Sequence, residues 1–93
     1  MTKKEIEKIC KKVINYPFLV ICEKRSQKYV IQIHSAFDES LYKKVQEAFS
    51  IRNFVVGLSY STSNKENNEK HISRRFDISL TKRAIYESFN NWY

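Results

Sequence analysis

The chain has 93 residues, 42% of them hydrophobic, with 17 Lys and Arg against 10 Asp and Glu and a net charge of +7. That length supplies one core and leaves nothing for a second, while a run of about eighteen apolar residues, the length of a membrane helix, is missing. A single glycine excludes glycine-built phosphate cradles, and the basic balance favours anionic partners, nucleic acid first and a membrane surface or an acidic protein surface after it.

Thr2-Lys3-Lys4-Glu5 has the spacing of a capping box, so a helix is expected from here. Ile6, Ile9, Cys10, Val13 and Ile14 recur at helical period as its buried stripe, which leaves Lys3, Lys4, Lys8, Lys11 and Lys12 largely outside it. Met1 to Asn15 is a charged amphipathic repeat and lacks the apolar core of a signal peptide. Pro17 closes the helix or follows its end closely.

Pro17 to Cys22 and Tyr29 to His34 are dense in β-branched and aromatic residues, and the charged stretch Glu23 to Lys28 between them makes the pair a hairpin. A second helix is expected after Ser35 to Ser40, with Asp38 as its cap, Glu39 in its first turn and Leu41, Val45, Ala48 and Phe49 buried. Phe54 to Tyr60 alternates, with Phe54, Val56, Leu58 and Tyr60 facing inward. Ser61 to Lys70 lacks apolar residues and reads as a long hairpin loop; Ile72 to Leu80 is the return strand, with Phe76, Ile78 and Leu80 inward. Thr81 is expected to cap a last helix carrying Ala84 or Ile85, Phe89 and Trp92.

The order α-β-β-α-β-β-α predicts a single α+β domain over residues 1–93, a four-stranded antiparallel sheet with helices packed on one face. Two αββ units, 2–35 and 38–80, precede the last helix at 81–93. A shift of 36 residues lays Phe18 on Phe54 and Val20 on Val56, and a shift of 47 lays Tyr29 on Phe76, Ile31 on Ile78 and Ile33 on Leu80. The far face of such a sheet would show Leu19, Ile21, Val30, Gln32, His34, Val55, Gly57, Ser59, Ser73, Arg75 and Asp77.

This element order, with the spacing of Leu41, Val45 and Phe49 before Phe54, resembles one half of a LAGLIDADG homing endonuclease, in which the open sheet face lies in the DNA major groove. The resemblance implies a nucleic-acid-facing sheet. In that family the first helix ends in small residues and a metal-binding acid; here it ends Val13-Ile14-Asn15-Tyr16, so no cleavage chemistry is implied.

The candidate chemistry is therefore contact rather than catalysis. Lys3, Lys4, Lys8, Lys11, Lys12, Lys24, Arg25, Lys28, Arg74 and Arg75 are the candidate phosphate contacts, in a small non-enzymatic accessory protein that binds DNA or RNA. Leu19, Ile21, Val30, Val55, Trp92 and Tyr93 are the candidate protein interface, which would suit an inhibitor or immunity-type factor of a mobile element, or a homodimer. His34 and His71 would be the acid-base pair of a metal-independent ribonuclease only if strand order brought them to one cleft. Cys10, Cys22 and these histidines lack metal-ligand spacing, so neither metal nor cofactor is expected. Both cysteines fall at apolar-pattern positions, which suits free thiols in a reducing, cytoplasmic setting without a membrane partner.

Overall fold

The computed structural model describes residues 2–25, 27–61 and 74–90, the last four of these by backbone alone. The elements are α1 (Lys3–Val13), β1 (Phe18–Glu23), β2 (Lys28–Ile33), α2 (Glu39–Ser50), β3 (Phe54–Ser61), β4 (Phe76–Lys82) and α3 (Arg83–Asn90). They form a mixed α+β fold with one four-stranded antiparallel sheet in the order β1-β2-β4-β3.

Both long helices start where their sequences direct them to. Thr2 accepts from the Glu5 backbone N–H while the Glu5 carboxylate accepts from the Thr2 backbone, a complete capping box. Asp38 Oδ1 accepts from the Leu41 N–H at 3.1 Å. At the other end of α2, the Arg52 guanidinium donates to the Ala48 carbonyl, and Asn53 takes a left-handed φ of 64° to turn the chain into β3.

Each helix then buries one stripe. Ile6, Cys10 and Ile14 of α1 and its cap, with Leu41, Val45 and Phe49 of α2, meet Val20, Ile31, Ile33, Phe54, Phe76, Ile78 and Leu80 from one face of the sheet. Phe49 and Phe54 pack edge to face, and Phe37 closes one end of this core against Phe76 in the same manner. Residues 14–17 join α1 to β1, and the two elements pack against each other.

The two αββ units meet at the β2–β4 seam. Ile31 pairs with Ile78, Tyr29 with Leu80 and Ile33 with Phe76. Ile31 and Ile78 are also the residues that the 47-residue shift superposes, which is the pairing an approximate two-fold axis between them requires. The outer strands depart from that symmetry. Phe18 pairs with Ile33, whereas Phe54 pairs with Lys82 instead of Leu80, so β3 has slid by two residues along β4.

Two expectations fail because of that slide and a bulge, and two more fail separately. β4 runs through Thr81 and Lys82, with Thr81 held between Lys28 and Val55, so Thr81 is a strand residue and not a helix cap. The register shifts between Leu58 and Tyr60, so Ser59 is the extra residue and Tyr60 pairs with Asp77, on the face opposite to Leu58. Tyr60 therefore joins the open face, although simple alternation places it inward. Cys22 does share the helix-side face with Val20, but it is exposed. Ser61 is the last residue of β3 and not the first of a loop. The expected loop beyond it, and the start of the expected strand at Ile72 and Ser73, lie outside the described residues.

Candidate nucleic-acid interface and open sheet face

Lysines dominate the outer side of α1. At 100° per residue, Lys4, Lys8, Lys11 and Lys12 fall within a little over a quarter turn of one another and opposite Ile6 and Cys10, with successive rises of about 6, 4.5 and 1.5 Å along the axis. All four are exposed, as is Lys3. Lys24 and Arg25 are exposed in the β1–β2 turn, and Lys28 is half-buried where β2 begins.

Beside that turn lies a cleft of about 250 Å³. Its lining includes Lys24, Lys28 and Lys82 against one acidic residue, Glu23; Glu23 and Lys28 are cross-strand partners on the face of Val30, whereas Lys82 alternates onto the face of Leu80, Tyr29 and Cys22. Gln27, Tyr29, Cys22 and Ile85 of α3 complete the lining. Strand order creates this group: Lys28 pairs with Thr81, which brings Lys82 level with Gln27 across the β2–β4 seam. Reading Thr81-Lys82-Arg83 as a helix start hid Lys82, because only the non-local pairing places it there.

Arg74 and Arg75 stand at the opposite end of the sheet, since β4 begins at Phe76 beside Ile33. They do not join the turn cations. Arg75 Nε sits 3.1 Å from Asp77 Oδ1 in an ion pair, and its guanidinium lies 4.7 Å from the centre of the Tyr60 ring. Asp77 is only 7% exposed. Burial pushes its carboxyl above the ordinary range, against the opposing pull of Arg75 and, more weakly, His34.

The rest of the open face divides by strand. Ile21 pairs with Val30 and lies two residues from Leu19, which is 52% exposed. Val30, between its partners Ile21 and Ser79, is 9% exposed and offers little surface. Val55 lies on β3, on the far side of the two central strands, so the apolar patch is Leu19 and Ile21 rather than all four. Gln32, Asp77 and Tyr60 form the next cross-strand row, and Ser79 Oγ donates to the Gly57 carbonyl at 3.3 Å. Trp92, Tyr93 and His71 fall outside the described residues.

Cys10 is fully buried, and burial with nearby Glu7 pushes its thiol up to about 12. Cys10 and Cys22 are both free thiols. Among the described residues, no group of three or more His, Cys, Asp or Glu is arranged to hold a metal ion, and no helix is long and apolar enough to cross a membrane. Comparison with known proteins returns no matching family model, no matching curated protein and no matching solved structure.

Proposed function

We propose that this chain is a small, basic, non-enzymatic nucleic-acid-binding protein, which holds phosphates through the lysine stripe of α1 and the adjoining β1–β2 turn. The observation that carries the reading is the stripe itself: Lys4, Lys8, Lys11 and Lys12 are all exposed and lie opposite the buried side of their helix. A stripe of lysines on one helix face neutralises nearby phosphates and releases their counterions. A reducing, intracellular setting goes with two free cysteine thiols.

The test is binding to DNA and RNA oligonucleotides as salt is raised. Charge reversal at Lys8, Lys11 and Lys12 is expected to abolish binding while leaving the fold intact, because these side chains support no part of the core. Binding that survives the reversal removes the proposal.

One observation favours a second reading, a protein-binding module. Leu19 and Ile21 offer apolar surface on the open sheet face, next to the polar row Gln32, Asp77 and Tyr60. The partner would be an acidic protein surface, as for an inhibitor or immunity-type factor, or a second copy of the chain. Sedimentation in high salt discriminates: a dimer that persists there and is lost on Leu19→Glu supports this reading, and a monomer under both conditions counts against the homodimer.

A further inference from the structure

We propose that the cleft at the turn end of the sheet is a binding site for a phosphate monoester. Lys24, Lys28 and Lys82 line it against Glu23 alone; Glu23 and Lys28 pair across strands on the other face, which leaves Lys24 and Lys82, an excess of two positive charges. A phosphate monoester carries about −1.5 to −2 charges at neutral pH and would balance that excess, whereas a bridging phosphodiester carries one and would leave a cation uncompensated. Lysine suits this role, because each ammonium is a compact charge with three donors that rotate to meet phosphate oxygens.

The space also fits. At about 250 Å³ the cleft is larger than a phosphate needs and smaller than a drug-sized pocket. Tyr29, Ile85 and Cys22 line the remaining wall with largely apolar atoms, which leaves room for the group that the phosphate esterifies. Two sources present the same chemistry: the phosphorylated end of a nucleic-acid strand, and a free mononucleotide or sugar phosphate. Only the first source rests on the nucleic-acid reading of α1.

Cys22 supplies the measurement, since it lines the cleft and is exposed. Cys10 stays silent: it is fully buried, and at about pH 8 a thiol with a pKa of about 12 is ionised to about one part in ten thousand. Iodoacetamide alkylation of the folded protein, followed by mass spectrometry, therefore reads Cys22. At a ligand concentration ten times its dissociation constant, occupancy slows that reaction by about tenfold.

Adenosine monophosphate is expected to protect Cys22 while adenosine at matched ionic strength does not, and Lys82→Gln or Lys24→Gln is expected to remove the protection. A 5′-phosphorylated oligonucleotide that protects at lower concentration than adenosine monophosphate identifies a strand end as the source. Protection by the mononucleotide with no difference between 5′-phosphate and 5′-hydroxyl oligonucleotides identifies a free monoester. The proposal is overturned if neither monoester protects better than its dephosphorylated counterpart, or if protection survives both lysine substitutions. Reversal at Lys8, Lys11 and Lys12 separates this from the nucleic-acid reading, since it is expected to leave mononucleotide protection unchanged.

Discussion

Neutralising three lysines of α1 gives the sharpest check on the lysine stripe, because salt dependence counts contacts. If Lys3, Lys4, Lys8, Lys11, Lys12, Lys24 and Arg25 all meet phosphates of a duplex, log K against log salt has a slope of about −6, and of about −5 on a single strand. Affinity for duplex then falls by about 4,000-fold between roughly 50 and 200 mM salt. Lys8→Gln, Lys11→Gln and Lys12→Gln together remove three contacts, which brings the slope to about −3.5 and the loss over the same range to about a hundredfold. All three side chains are exposed, so unfolding free energy should move by no more than about 0.5 kcal/mol per site. Fluorescence anisotropy of a labelled oligonucleotide across that salt range measures both slopes. A triple variant with the wild-type slope, or a wild-type slope shallower than about −2, refutes the reasoning.

Three further outcomes test the fold around these sites. Ile78 is fully buried and pairs with Ile31 at the centre of the seam, so Ile78→Ala should cost about 2 to 5 kcal/mol by urea denaturation; a loss under about 1 kcal/mol would contradict that packing. Gln27 holds a φ of 53° at the rim of the cleft, where glycine is cheaper, so Gln27→Gly should raise stability by about 0.5 kcal/mol in the same assay. Asp77→Asn should leave stability unchanged in acid, where both side chains are neutral, and raise it relative to wild type near neutral pH. The sign follows from a folded carboxyl pushed above its unfolded range: the unfolded chain releases its proton first, so wild type loses stability as pH rises through the folded value. A variant less stable than wild type only at neutral pH would mean that the Arg75 pair outweighs burial.

Local chemistry made much of the architecture legible. Thr2 with Glu5, and Asp38 ahead of Leu41, announce their helices because a cap needs only residues three apart. Ile6 with Cys10, and Leu41 with Val45 and Phe49, mark buried faces by period alone. Tyr60 shows where that logic stops. A bulge changes the face of every later residue in its strand, and Ser59, which makes it, resembles any polar strand residue; its Oγ donates to the Asp77 carbonyl, a contact 18 residues away. Lys82 was hidden for a related reason, since Thr-Lys-Arg after a strand looks like a helix start until a second strand extends the pairing.

That extension ties the asymmetry of the fold to the candidate site. A strict two-fold about the Ile31–Ile78 pair would lay Phe54 against Leu80, as Phe18 lies against Ile33, and β4 would then lack a β3 partner at Thr81 and Lys82. The two-residue slide of β3 supplies both partners and fixes Lys82 in register. It also sets where α3 begins: the Arg83 N–H donates to the Asn53 carbonyl at 2.8 Å, tying the start of that helix to the turn before β3. With α3 held there, Ile85 and Lys82 line the same cleft as Cys22, Tyr29, Lys24 and Lys28. The departure from symmetry is thus what gathers three lysines at one end of the sheet, while Arg75, at the other end, is engaged by Asp77 and Tyr60.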